Sequence, residues 1–175
     1  APANAPPIFQ LPAAVDIYLE AGRPPIRHQV TVDQRRQTFR FDVPAIPKAM
    51  VFDAEHVLLA EVQDNRNREE MLFLFHHSPQ FFDRFQAIQN LRGNSDPAVE
   101  QMLKAALTDE SWVIRSIALN NIDPAGDASV LGTIRQMAAT DPHSQVRSSA
   151  LYTLADLEDT DAINLAKNAI ETDSA

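Results

Sequence analysis

Apolar and polar residues alternate in the first third of the chain and then fall into a second rhythm. In Val15-Asp16-Ile17-Tyr18-Leu19-Glu20, Ile26-Arg27-His28-Gln29-Val30-Thr31-Val32 and Thr38-Phe39-Arg40-Phe41-Asp42-Val43 the apolar residues occupy alternate positions. Successive strand side chains point to opposite faces, so each segment offers one face to a core and one to water. Ala21-Gly22-Arg23-Pro24-Pro25 and Asp33-Gln34-Arg35-Arg36 read as the turns between them. Two short strands are expected at Ala49–Asp53 and Leu58–Val62, with Pro44 and Pro47 interrupting pairing because proline lacks the ladder N–H. The expectation for residues 1–64 is an antiparallel β-module of the sandwich type.

From residue 65 the period becomes helical. Val99, Met102, Leu103, Ala106 and Leu107 make one apolar stripe, and Val146, Ala150, Leu154 and Leu157 make another. Asp96-Pro97 reads as a helix start, with the Asp oxygen capping free N–H groups and proline at the first position. Gly93 and Gly126 sit in the polar breaks, where a helix C-terminus takes positive φ.

Laid over itself, the helical part repeats. Thr108-Asp109 leads to Val113-Ile114-Arg115, Ala118 and Ile122; Thr140-Asp141 leads to Gln145-Val146-Arg147, Ala150 and Leu154. In both copies Asp precedes Arg by six positions, Ala follows Arg by three and an aliphatic residue follows Ala by four. A third copy carries Ser78, Arg84, Ala87 and Leu91, with Ser78 in place of Asp and Asp83 in place of the aliphatic residue. The arginines are 31 and 32 positions apart, from 84 to 115 and from 115 to 147. Each copy follows an amphipathic segment (Met71–Phe75, Val99–Leu107, Val130–Ala138), and Ile163–Ile170 resembles the first helix of a fourth copy. One helical hairpin cannot bury its own apolar face, so the expectation is a stack in which neighbours cover each other. Asp109 and Asp141 would each cap the second helix of their pair and bond the Arg of an adjacent copy, making Arg84, Arg115 and Arg147 members of a ladder along the stack.

The pattern Asp-x4-[Ile/Val]-Arg-x2-Ala-x3-[Ile/Leu] resembles the HEAT repeat, which implies an α-solenoid over 65–175 and a surface for proteins or peptides. The fold expected for the whole chain is therefore α+β in two modules. Pro47-Lys48-Ala49-Met50-Val51-Phe52-Asp53 followed by Leu58-Leu59-Ala60-Glu61-Val62 resembles the end of the small β-domain of M1 zinc aminopeptidases. Leu11–Leu19 resembles the opening strand of that β-domain. The resemblance implies the non-catalytic C-terminal portion of such an enzyme, with zinc held in an upstream catalytic domain of the same chain. The helical repeats would then limit which peptide substrates reach that site.

Composition narrows the remaining choices. Up to Arg92 there are ten Lys and Arg against eleven Asp and Glu; from Gly93 there are five against thirteen. The net charge of −9 argues against nucleic acid, whose phosphates need clustered cations, and no run is long and apolar enough for membrane insertion. With no cysteine there is no disulfide framework and no thiolate site, and the compartment stays open. Ala1–Pro7 has neither an initiator Met nor a signal-peptide core, so the sequence reads as part of something longer.

Catalytic and metal residues are not expected here. None of His28, His56, His76, His77 and His143 is followed by Glu, and no two lie four apart, so the zinc-binding His-Glu-x-x-His is missing. His76-His77 reads as a helix end, where partly charged His is favoured, because adjacent helix residues diverge by about 100° and chelate poorly. Asp156, Glu158, Asp159 and Asp161 read as a solvated turn and cap without calcium-loop spacing. Arg84, Arg115 and Arg147 have two readings, ladder partners or clamps for a substrate carboxylate. Trp112 is either a partner anchor or packed between hairpins. Phe73, Phe75, Phe81, Phe82 and Phe85 are read as filling the seam between β-module and first hairpin.

Overall fold

The computed structural model describes the backbone of residues 9–173 and side chains through residue 167. Ala1–Pro7 lies outside the described residues, as does the Ile170 side chain. The chain divides into two compact units after His77.

The first unit holds strands β1 (Leu11–Tyr18), β2 (Ile26–Val32) and β3 (Ala49–Phe52) and helix α1 (Arg68–His77). The strands form one antiparallel sheet in the order β2-β1-β3. Val15 lies opposite both His28 and Phe52, and Asp16 opposite Arg27 and Val51, so alternate residues of β1 define two faces. One face sets Ala14, Tyr18, Ala49 and Val51 against Leu74 and Phe73 of α1. On the other, Phe41 stacks on His28 with ring centroids 4.6 Å apart. Ala13 to Tyr18 are all buried, as a central strand covered on both sides requires.

Two expectations change here. Thr38–Val43 and Leu58–Val62 are not strands, so among the described residues there is one sheet and no second sheet to make a sandwich. Phe41 supplies cover with a ring rather than a ladder, and Pro44 and Pro47 bracket a segment that cannot pair continuously. The break between units falls after His77 rather than at 64/65, because α1 lays Leu74 and Phe73 on the sheet. The period changes at residue 65, but packing assigns that helix to the sheet.

The second unit holds α2 (Phe81–Leu91), α3 (Pro97–Ala106), α4 (Trp112–Leu119), α5 (Ala128–Thr140), α6 (Ser144–Asp156) and α7 (Ala162–Asp173). Asp96 caps α3 by accepting the Ala98 N–H at 2.8 Å, with Pro97 at the first position. Gly93 follows α2 at φ 75°, a conformation costly for any residue with a Cβ. The apolar stripes meet inside. Second helices pack on second helices (α2 on α4, α4 on α6), and α5 packs on α6 and α7. The repeated alanines Ala87, Ala118 and Ala150 are buried, as are Leu91, Ile122 and Leu154 four positions on. A small residue at the closest approach lets adjacent helix axes sit near the short end of the usual ~8–10 Å.

Candidate functional site

The feature with the most built geometry is a double set of bonds linking successive repeats. In the first set, Nε and Nη2 of Arg84 donate to Asp109 at 2.8 and 3.3 Å. The same groups of Arg115 donate to Asp141, both at 2.8 Å. The remaining guanidinium nitrogen, Nη1, returns to the loop before its own helix. It reaches Pro79 O from Arg84 (3.1 Å), Asp109 O from Arg115 (2.9 Å) and Asp141 O from Arg147 (2.7 Å). One planar fork therefore staples its own loop and, from Arg84 and Arg115, the next repeat, a geometry lysine cannot reproduce. These two arginines are engaged in the ladder, with side-chain exposures of 9% and 12%.

The aspartates sit two positions before the helix caps. The N-cap positions are Ser111 and His143, and Asp109 and Asp141 accept the backbone N–H of those residues at 2.8 and 2.9 Å. Ser78 does the same for Gln80, at 3.2 Å, so the first copy keeps the backbone role without a carboxylate. Its hydroxyl donates to the buried Asp83 at 2.6 Å, which accounts for an acid at an aliphatic place. Burial pushes the Asp141 carboxyl up, but Arg115 and the His143 N–H outweigh it and hold it below the usual range.

The second set joins first helices. Lys104 of α3 reaches Asp127, the α5 N-cap, at 2.9 Å, and Arg135 of α5 reaches Asp159, before α7, at 2.5 Å. The cations are 31 positions apart and the acids 32, the same period as the first set. Hydrogen bonds from Lys104 and Arg135 hold Asp127 and Asp159 below the ordinary carboxylate range. Asp159 is thus a ladder acceptor rather than a member of a solvated acidic turn. The signal for this set was present in the spacing 104/135 and 127/159 but carried no shared residue type at the cation.

Trp112 is 40% exposed and lies flat on His143, centroids 3.9 Å apart and planes 4° off parallel. The stack joins the start of α4 to the start of α6, and His143 Nδ1 accepts the Gln145 N–H at 3.3 Å. Trp112 therefore touches the next repeat on one face and leaves the other accessible. Phe81 and Phe82 are about 40% exposed and pack on Phe85, while Phe73 edges onto Tyr18. His76 and His77 end α1 as expected, but burial and the adjacent His77 push His76 down, toward the neutral form. Among the described residues no three His, Asp or Glu come together in a way that would hold a metal ion, and no helix is long and apolar enough to cross a membrane.

In the second unit, helical hairpins joined by ion pairs of one period make an array of helical repeats. Residues 99–175 match the family of HEAT repeats. No curated protein matches the chain, and no solved structure does. The match stops short of residues 11–62, which carry the aminopeptidase resemblance, and nothing in these comparisons links the chain to that family.

Proposed function

We propose that the chain is a non-catalytic scaffold in which HEAT-type repeats form a short α-solenoid that binds or guides a protein or peptide. The observation that carries this reading is the recurrence of both inter-repeat bond sets at a period of 31 or 32 residues. Contacts that repeat along the chain belong to a stack whose surface, not a catalytic constellation, is its working part. The test is an assay of the purified chain with zinc and aminoacyl anilides, expected to show no release. Metal-dependent release of N-terminal residues would overturn the reading.

A narrower reading places this scaffold as the C-terminal portion of an M1-like zinc aminopeptidase, shaping the path of peptide substrate to a zinc site upstream. What favours it is that the two segments resembling that β-domain are neighbours in one sheet, Val15 opposite Phe52 and Tyr18 opposite Ala49. Asp53, which closes the second segment, accepts the Val57 and Leu58 N–H groups at 3.2 and 3.1 Å and so sets the turn into the leucine pair. The reading frame ahead of Ala1 tests it: His-Glu-x-x-His there supports the enzyme, and a frame without it removes this reading while leaving the scaffold intact. In such an enzyme, deleting residues 78–175 is expected to blur discrimination between long and short peptides more than it slows cleavage of a single aminoacyl bond.

A further inference from the structure

We propose that the groove between the end of α3 and one stripe of α5 is a docking site for a lysine side chain of a partner peptide. The inference rests on the scaffold reading and deepens it, by naming the chemistry that its surface takes. The groove is an open cavity of about 220 Å³, and every residue lining it lies between Leu107 and Pro142. Leu107 and Met137, 3% and 6% exposed, form its apolar floor. Thr133, Gln136, Met137 and Thr140 fall at i, i+3, i+4 and i+7, one stripe of α5 about 10 Å long. A trough of that length over an apolar floor accepts the four-carbon stem of a lysine.

The polar atoms around that floor call for a positive charge. The Thr108, Thr133 and Thr140 hydroxyls donate to Ala105 O, Ser129 O and Gln136 O at 3.1, 3.1 and 3.0 Å. Each has a single O–H, committed to its own helix, so what the three oxygens still offer is lone pairs. Two helices also end here: Leu107 and Thr108 follow α3, and Asp141 and Pro142 follow α5. A helix C-terminus carries partial negative charge, and α5 has no basic residue in its last turn to meet it. Among the described residues no Lys, Arg or His lines the groove, and from Gly93 onward the chain holds five cations against thirteen acids. The occupant is lysine rather than arginine because an arginine fork matches a free carboxylate. The carboxylate at this groove, Asp141, is already filled by the Arg115 fork at 2.8 Å. A compact ammonium with three rotatable donors suits dispersed neutral oxygens.

The probe is the peptide acetyl-Ala-Ala-Lys-Ala-Ala-amide, titrated into the whole chain and followed through the backbone amide signals by NMR. Saturable shifts are expected at residues 107–108 and 133–142, and none with the same peptide acetylated on its lysine. Gln136→Lys sets a resident cation in the groove at an exposed helix position and is expected to weaken binding tenfold or more. Gln101→Lys adds the same charge at an exposed position of α3 outside the lining and is expected to change binding less than twofold. Spectra that superimpose away from each substitution show that the variants fold. Equal weakening by the two substitutions means diffuse attraction to an acidic surface and overturns the proposal. So does an absence of saturable shifts, undiminished binding of the acetylated peptide, or tighter binding when arginine replaces the peptide's lysine. Any of these, with no release of N-terminal residues by the chain, sinks this inference and leaves the scaffold reading standing.

Discussion

The sheet unit and the helical unit are stabilised by different kinds of contact. In the first, each polar arrangement occurs once. Asp16, nearly fully buried, is held bidentately by Arg27 at 2.7 Å, and Arg27 extends to Glu55 at 2.9 Å. In the second, a bond seen once is seen again a period later with new residues in the same roles. A stack of this kind gains stability from nearest-neighbour interfaces, so damage to one rung should weaken two repeats and leave distant ones alone. Damage to the Asp16–Arg27–Glu55 cluster has no such local containment, since β1 lies between both other strands.

The largest effect expected is from breaking a covered rung. Asp141 side-chain exposure is 6% and that of Arg115 12%, so Asp141→Ala leaves a guanidinium almost without solvent and frees the His143 N–H. A cost of about 3 kcal/mol follows from stranding one partner of a buried pair. Urea unfolding gives the magnitude, and residue-resolved hydrogen exchange gives its reach. Faster exchange in α4 and α6 with β1–β3 unchanged supports the contrast between the units, whereas equal loss in the sheet would break it.

Acid should separate the units by the pH at which each weakens. Asp127, Asp141 and Asp159 have folded values below the unfolded carboxylate value near 3.8. The unfolded chain therefore takes up protons first as pH falls, and the stability these groups contribute is complete above about pH 4 and lost below it. His76 in α1 has the opposite charge logic. Its folded value lies below 6.5, so both states are neutral above that pH, and stability declines as pH falls from 6.5 toward the folded value. His76 is exposed by more than a third, so this step is small. Protection of the α1 amides, corrected for the intrinsic pH dependence of exchange, is expected to fall as pH drops below 6.5 while that of α5 and α6 holds until below pH 4, and His76→Phe should remove the first step only.

The difference between the units also decided what could be read in advance. Repetition made the helical half legible: Asp109, Asp141 and the arginines recur at fixed offsets, and an offset predicts a contact without coordinates. The second bond set escaped because Lys104 and Arg135 share charge but not identity, and because Asp159 sits among other acids. In the sheet unit, alternation located β1, β2 and β3 but also marked Thr38–Val43, since a segment that covers a sheet with one ring has the same period as one that pairs. The place of α1 was legible only in part: the aromatic run at Phe73 and Phe75 points to the β-module, and Phe73 packs on the sheet core, but an apolar stripe does not say which unit holds the helix. Trp112 on His143 is a contact between residues 31 apart in non-equivalent places, which no repeat pattern encodes.

The smallest effects test the contrast most finely, because one substitution should act with opposite sign in the two units. Asp53 and Glu158 both hold the left-handed conformation, at φ 52° and 54°, where a side chain costs roughly 1 kcal/mol relative to glycine. Glu158 ends α6, its N–H bonded to Ala155 O at 3.0 Å, and its side chain is exposed. Glu158→Gly relieves the backbone at the expense of some unfolded-state entropy, and a gain of about 0.5 kcal/mol is expected. Asp53 is 3% exposed, and its carboxylate accepts the Val57 and Leu58 N–H groups. Asp53→Gly gives the same backbone relief but unpairs two N–H groups, and two bonds to a charged acceptor outweigh it, for a net loss of about 1 kcal/mol. Urea midpoints measured side by side check the pair. A rise for both would mean that the Asp53 turn is held by its backbone alone, and the sheet unit's reliance on single, unrepeated side chains would be wrong at the place where it is easiest to see.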